Sequence, residues 1–509
     1  MDLPNSLNHW NEQPMASTNM RTIGSPKTQP IIYDQIAKKL YPRSHKKYLL
    51  LLSIVLLGYL LTYSKLSSFW MEYMLLTIVS AFCGCVMLAC LNRLLVGRLV
   101  ILILFLVWVV TYYIQWYLIA CDPEMAGGSY LKPLRWLAYS PEVLMKTFSI
   151  ITYSFSAFCL AVWLLVAKMR VYSRYVHSGV IDYKRLSNIL LWLVSSLMGV
   201  TFLIAYVTGI CRMGEESVYL PFRIAGLIYY CRVMLIPGLL LLLIWCSDEA
   251  GLRQYFVAGT ILLIIHGISD MLLRSSRGAL LLLFIGLFVL LLNTNSMNKL
   301  RLFLFIGVVL FTILAWPIIS SYRSVRENGY QGSISHTLYE SITNPTIGTI
   351  SYGDTLISGI KSLFFRYGAI SLIPISGIEV EPLKTRCFST SVTRVYTEEV
   401  LGYPPRNIHA SGPSFIGWFY LVGGNPFVIV GTFSFTVLVL LFWQMLERLR
   451  LYCLPVAQSI FLFWVLHLLG GGPLDSLALG VMTLTGSIIA CEWMIRLSVT
   501  RKFTRSLSQ

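Results

Sequence analysis

Charged side chains are scarce in this sequence, where Asp, Glu, Lys and Arg together make up only 12% of the 509 residues. A soluble protein carries roughly 25% of such residues, so this chain has too few to cover a soluble surface of its size. Acidic residues are scarcer than basic ones, with 23 Asp and Glu against 40 Lys and Arg. Together with a mean hydropathy of +0.70, this composition predicts a chain whose main solvent is lipid.

Motifs for nucleotides, metals and secretion are absent as well. The sequence has no Walker loop and no Gly-x-Gly-x-x-Gly after a strand, which argues against nucleotide use. His266, His336 and His467 have no companions at the spacing of metal ligands, so we predict no metal site and no cofactor. The first 47 residues are polar, which is not the pattern of a secretory signal peptide.

Apolar segments long enough to cross a bilayer recur along the chain. A transmembrane helix needs about 20 apolar residues, and the pattern predicts an all-α polytopic membrane protein with about twelve such helices. The predicted helices are 48–64, 72–91, 99–120, 147–167, 187–211, 224–246, 256–273, 278–293, 302–320, 413–440, 454–470 and 476–495.

Lysine and arginine concentrate in alternate connections between these helices, which predicts a cytoplasmic location for both termini. The net charge of +17 therefore has two interpretations, which apply to different residues. Some basic residues set the orientation of the chain, and others are available to bind an anionic lipid or a phosphate. We expect no nucleic-acid partner.

The predicted organisation has five parts. A cytoplasmic tail (1–47) precedes helices one to nine (48–320), a large outside loop (321–412), helices ten to twelve (413–495) and a second cytoplasmic tail (496–509). Loops as long as 321–412 are uncommon without a function. This loop is rich in arginine, contrary to the usual charge bias of outside loops, so we expect those arginines to have another purpose.

A first constellation lies where helix seven is predicted to emerge. Asp270 and Arg274 are one turn apart and can pair, which leaves Arg277 available to hold an anion. Gly278 lets a backbone or a phosphate approach closely. Ionisable residues at membrane depth indicate function, although arginines that simply anchor the helix at the interface would have the same pattern.

Further arginines lie on either side of this region. Arg323 and Arg326 are three residues apart, so a helix would present both to one pyrophosphate group. A solvated loop start is the alternative. Arg223 and Arg232 flank the start of helix six, and Arg232 falls two to three turns into that helix. A buried arginine needs a polar cavity, such as one that admits an anionic headgroup, or an internal salt bridge with an acidic residue elsewhere.

The third constellation precedes helix ten. His409 follows Arg406 closely and stands just before the chain enters the membrane again. A histidine at this edge can accept or deliver a proton near neutral pH, whereas a surface histidine without a role is the simpler interpretation. Asp122 and Glu124 form a D-x-E pair, which either starts a helix or binds a metal ion in a lipid-linked glycosyltransferase.

These motifs, in this order, resemble those of the bacterial O-antigen and polysaccharide polymerase (Wzy-like) and O-antigen ligase superfamily. The matching parts are the Ser-Arg-Gly at 276–278, the arginines after the next helix, the long outside loop, and the string from His409 to Phe415 ahead of Gly417 and the Gly-Gly at 423–424. The resemblance covers roughly residues 190–490. Where ligases have a second His or Asn, this chain has Ser411 and Gly412, which favours a polymerase.

The resemblance implies a metal-independent enzyme of the glycosyltransferase C type in the bacterial inner membrane. Its partners would be undecaprenyl-diphosphate-linked glycans, membrane lipids and a chain-length regulator protein. Its product would be a surface polysaccharide such as an O-antigen of lipopolysaccharide, a capsule or an exopolysaccharide. The implied catalytic residues are His409 and Arg277, and the implied substrate-binding residues are Arg223, Arg232, Arg274, Arg323, Arg326 and Arg406.

Other functions remain open at this point. The alternatives are an O-antigen ligase, a flippase or transporter for the same lipid, and a metal-dependent glycosyltransferase that uses Asp122 and Glu124. Transporters usually contain internal repeats and broken helices, and the two halves of this sequence show no repeat.

Overall fold

A computed structural model of the chain describes most of the predicted membrane helices. The described residues are 46–93, 98–124, 132–166, 180–209, 224–274, 306, 310, 368–379, 381–402, 412–469, 474 and 477–500. Within them, nine helices are long and apolar enough to cross a membrane, and one further apolar helix is shorter. This confirms an all-α polytopic membrane protein. The predicted helices 278–293 and 302–320 lie outside the described residues, apart from 306 and 310.

The first half of the described chain forms long helices. They are α1 (Lys46–Thr62), α2 (Trp70–Arg93), α3 (Arg98–Val107), α4 (Gln115–Cys121), α5 (Pro141–Val166), α6 (Tyr183–Thr208), α7 (Ile224–Tyr230), α8 (Ile236–Glu249) and α9 (Arg253–Arg274). Two π-helical stretches, Trp108–Ile114 and Cys231–Leu235, join α3 to α4 and α7 to α8, so each pair forms one continuous span. Short 3₁₀ turns cover Tyr63–Lys65, Ser67–Phe69 and Lys132–Tyr139.

The second half combines short and long helices. They are α10 (Ala369–Ser376), α11 (Glu381–Ser389), α12 (Val392–Val395), a π-helical turn (Tyr396–Val400), α13 (Phe415–Arg448), α14 (Leu454–Leu469) and α15 (Leu477–Ser498). The two-residue strands β1 (Val180–Ile181) and β2 (Val499–Thr500) pair antiparallel. This pairing places the start of α6 and the end of α15 at the same end of the bundle.

Small hydroxyl residues and aromatic rings hold the centre of the bundle together. Ser80 and Thr152 bond α2 to α5 at 3.1 Å, and Ser154 and Thr432 bond α5 to α13 at 3.0 Å. Such interhelical bonds are typical of membrane helices, where the lipid offers polar groups no alternative partner. Helix α1, by contrast, exposes most of its leucines, as expected of a helix that faces lipid.

Helix α13 reverses direction at Gly424. The dihedral angles of Gly424 (φ 68°, ψ −158°) are not helical, and Pro426 follows. The rings of Phe415 and Phe435 are 4.5 Å apart, whereas a straight helix would separate these residues by about 30 Å. Residues 415–423 therefore fold back along 427–435 as a helical hairpin. The span predicted over 413–440 begins only after this turn, because glycine and proline together end the first helix.

Helix α10 is a short buried helix from the segment expected as a large outside loop. All of its residues are buried, and the backbone N–H of its second residue, Ile370, donates to Gln115 Oε1 at 2.9 Å. At its other end Ser376 accepts a hydrogen bond of 2.9 Å from Thr147 on α5. A Cβ on Gly368 would lie 2.0 Å from the carbonyl oxygen of Thr111, so only glycine allows this close approach.

Candidate functional site

A buried ion pair joins the π-helical stretch Cys231–Leu235 to α9. Arg232 Nε donates to Asp270 Oδ1 at 3.1 Å, and Arg232 Nη2 donates to Ser269 Oγ at 3.0 Å. The side chains of Arg232 and Asp270 are only 1% and 5% exposed. The internal salt bridge that the sequence left open for Arg232 therefore exists, with an acidic residue on the neighbouring span.

The local backbone explains why a third residue joins this pair. In the π-helical turn the N–H of Ile236 bonds to the carbonyl of Cys231, and the next residue, Pro237, has no N–H to donate. The carbonyl of Arg232 thus lacks a donor from its own helix, and His266 Nε2 lies 2.8 Å from it. Because a carbonyl oxygen only accepts, Nε2 must carry the hydrogen.

The pair has one nitrogen left, Arg232 Nη1, whose two N–H groups can donate to another group. Within the described part of the chain, Arg232 Nη1 is buried and has no hydrogen-bond partner. The guanidinium also lies over the ring of Phe202, at 5.9 Å from its centroid. Since Asp270 balances the charge of Arg232, the pair offers a directed N–H to a ligand oxygen rather than a net positive charge.

Most of the residues that the sequence singled out lie outside the described residues: Arg223, Arg277, Arg323, Arg326, Arg406 and His409, together with the side chain of Arg274. Asp270, for which the spacing predicted Arg274 as a partner, bonds to Arg232. Sequence analysis missed the contributions of His266 and Ser269. A polar cluster at membrane depth in two consecutive helices was the available signal.

Gly412, three residues after His409, is followed by a buried region. Ser414 caps the hairpin, because its Oγ accepts from the N–H of Gly417 at 3.3 Å. The N–H of Ser414 in turn donates to Ser371 Oγ at 3.2 Å, which ties the start of the hairpin to α10. Two short buried helices thus meet at their N-terminal ends.

A polar cleft opens at the tip of this hairpin. Its volume is about 410 Å³, enough for a headgroup or a sugar. It is lined by Lys146 on α5, Glu381 and Lys384 on α11, and Tyr420, Gly423, Gly424, Asn425 and Pro426 of the hairpin. The sequence analysis did not identify Lys146 or Lys384 as binding residues, since only the hairpin brings residues 146, 384 and 425 together.

The carboxylates Asp122 and Glu124 take part in local structure. Asp122 Oδ1 accepts from the backbone N–H of Glu124 at 3.1 Å, and the hydroxyl of Tyr139 donates to the Glu124 carboxylate. In the described segments of the chain, no group of three or more His, Cys, Asp or Glu side chains is placed to hold a metal ion. Among the described residues, this D-x-E pair therefore gains no third His, Cys, Asp or Glu ligand.

The described chain is thus a multi-pass helical membrane protein with a helical hairpin, a buried ion pair and a polar cleft. No family model matches the sequence, and no curated protein and no solved structure shows a significant similarity to it.

Proposed function

We propose that this protein is a glycosyltransferase that joins undecaprenyl-diphosphate-linked oligosaccharide units into a surface polysaccharide at the outer face of a bacterial inner membrane. One observation carries the proposal. Directly after the His409 motif, the chain forms the helical hairpin of residues 415–435, whose first arm is largely buried and contains Gly417 and Gly423. The resemblance to polymerases rests on a histidine, small residues and a glycine-rich return into the membrane, and the hairpin supports the last of these features.

The proposed reaction breaks the C1–O bond between a glycan and its lipid diphosphate. The diphosphate leaves with both electrons of that bond, and a sugar hydroxyl of the acceptor forms the new bond to C1. Arg277, Arg323 and Arg326 stabilise the charge on the leaving diphosphate. His409, beside Arg406, accepts the proton of the attacking hydroxyl. Arg223 and Arg274 assist in holding the diphosphate.

Arg232 has a narrower role in this proposal than the sequence indicated. Its charge is balanced by Asp270, and its Nη1 nitrogen has no hydrogen-bond partner among the described residues. Arg232 therefore orients a phosphate or sugar oxygen through the N–H groups of Nη1. The other arginines neutralise the charge of the diphosphate.

A transporter for the same lipid is the second candidate, because broken helices support it. Helix α13 breaks at Gly424, and the span α7–α8 contains the π-helical turn with Pro237. Transporters use interrupted helices of this kind to bind their substrate in the membrane. An O-antigen ligase remains an alternative of the same chemical class.

Complementation of a strain that lacks this protein distinguishes the candidates. The variants are Arg277→Ala, His409→Ala and, as a control, Arg253→Ala at the exposed start of α9. Each must insert at the level of the wild type. A polymerase predicts single repeat units for the first two variants and full-length glycan for the control. Lipid-linked polymer that no longer reaches its final acceptor indicates a ligase. Lipid-linked units trapped at the cytoplasmic face indicate a transporter, and full-length glycan in both variants contradicts the proposal.

A further inference from the structure

The cleft at the hairpin tip is built by three separate parts of the chain. Lys146 belongs to the second turn of α5, Lys384 to α11, and Asn425 to the hairpin itself. Tyr420, which is 7% exposed, forms part of the cleft wall. Sites assembled from distant segments have a fixed shape, because each segment is held by its own packing.

The lining carries a net positive charge. Lys146 Nζ donates to the carbonyl of Ile378 at 3.5 Å, and among the described residues it forms no ion pair. Lys384 pairs with Glu381, whose side chain is 82% exposed, while that of Lys384 is only 27% exposed. Two lysines and one glutamate sum to +1, and the positive groups lie deeper than the negative one.

Neutral polar groups complete the lining. The amide of Asn425 supplies donors, and Tyr420 supplies a hydroxyl and a ring edge. Lys384 Nζ would lie 3.7 Å from a Cβ built on Gly424, so its ammonium reaches the turn itself. Ammonium groups attract phosphate as point charges, and amide and hydroxyl groups can bond its remaining oxygens.

We propose that this cleft binds a phosphate group, carried either by a lipid headgroup or by a soluble anion. The cleft lies toward the end of the bundle at which α5 begins, which is the predicted outer end, and its volume of about 410 Å³ exceeds that of phosphate alone. The excess room fits a group attached to the phosphate, such as glycerol. This site binds phosphate whether or not the protein joins glycans.

The test is a binding titration of the full-length protein in a neutral detergent. The probe is dihexanoyl phosphatidylglycerol at low salt, and affinity is read by microscale thermophoresis. At the dielectric constant of water, two unit charges about 4 Å apart attract each other enough that removal of one weakens binding about fivefold. We therefore expect Lys146→Gln and Lys384→Gln each to weaken binding about fivefold. Glu381→Gln is expected to strengthen it by a similar factor.

A matched control separates the cleft from general charge effects. Lys65→Gln removes an exposed lysine outside the cleft and is expected to change the affinity less than twofold. Thermal unfolding of each variant verifies that the fold is retained. Competition by inorganic phosphate identifies a soluble anion as a ligand, whereas binding of the lipid without such competition identifies a headgroup.

Three results would overturn the proposal. The first is the absence of saturable binding of the lipid. The second is a loss of affinity in Lys65→Gln as large as that in the two lysine variants of the cleft. The third is a Glu381→Gln variant that binds the lipid more weakly than the wild type does. The third result is the most informative, because removal of a negative charge from the cleft must strengthen the binding of an anion.

Discussion

The Arg232–Asp270 pair makes a quantitative prediction about stability. Both side chains are almost fully buried, and Arg232 Nε lies 3.1 Å from Asp270 Oδ1. Loss of one member of a buried pair costs about 3–5 kcal/mol, because it leaves the other charge without compensation. Hydrogen bonds between neutral groups in membrane proteins average only about 0.6 kcal/mol. The expected effect is therefore well above that of an ordinary interhelical contact.

Substitution of Asp270 and substitution of Arg232 should not lower the stability equally. A buried carboxylate can become neutral by taking up a proton, whereas arginine stays charged. Asp270→Asn removes the negative charge that compensates Arg232, so it should lower the free energy of unfolding by about 3–5 kcal/mol. Arg232→Met should lower it by less. The double variant, with methionine at 232 and leucine at 270, should recover most of the loss, because an apolar pair of similar volume fits a buried site.

The assay is unfolding of the purified protein in mixed micelles by increasing SDS. The exposed Arg253 provides a control, since Arg253→Gln should change the stability by no more than about 0.5 kcal/mol. The reasoning fails if Asp270→Asn costs less than about 1 kcal/mol, or if Arg232→Met is the more damaging change. The first result would mean that water reaches the pair, and the second that Asp270 stays ionised without Arg232.

Three further predictions concern the hairpin and α10. Gly424 has φ 68° and ψ −158°, a region almost restricted to glycine. Gly424→Ala should therefore lower the free energy of unfolding by about 1–3 kcal/mol. The control Gly226→Ala, where the added methyl group meets open space, should be neutral or slightly stabilising. Cysteines at positions 415 and 435, in a background without the native cysteines, should be joined within one chain by a short thiol-specific crosslinker, because the native rings lie 4.5 Å apart, and a straight helix would give no such product. Gln115→Leu should cost about 1–3 kcal/mol by leaving the N–H of Ile370 without its acceptor, which unfolding in SDS would detect.

The sequence alone was sufficient to predict an all-α polytopic membrane protein. A run of about 20 apolar residues crosses a bilayer by itself, since every backbone group bonds within the helix. Each such segment can therefore be identified without knowledge of its neighbours, and ten of the twelve predicted helices correspond to helices in the described residues. The need of Arg232 for a buried partner also followed from its position alone, because an arginine at membrane depth requires compensation.

Tertiary structure decided which residues meet. The partner of Arg232 lies 38 residues away on the next span, and Lys146, Lys384 and Asn425 come together only where three segments pack. The predicted helix 413–440 ran through the Gly-Gly-Asn-Pro at 423–426 without a break, whereas the contact of Phe415 with Phe435 reveals a complete reversal there. Apolar periodicity reports whether a segment prefers lipid, whereas the choice of partner depends on shape and hydrogen bonding between helices, which no single segment encodes.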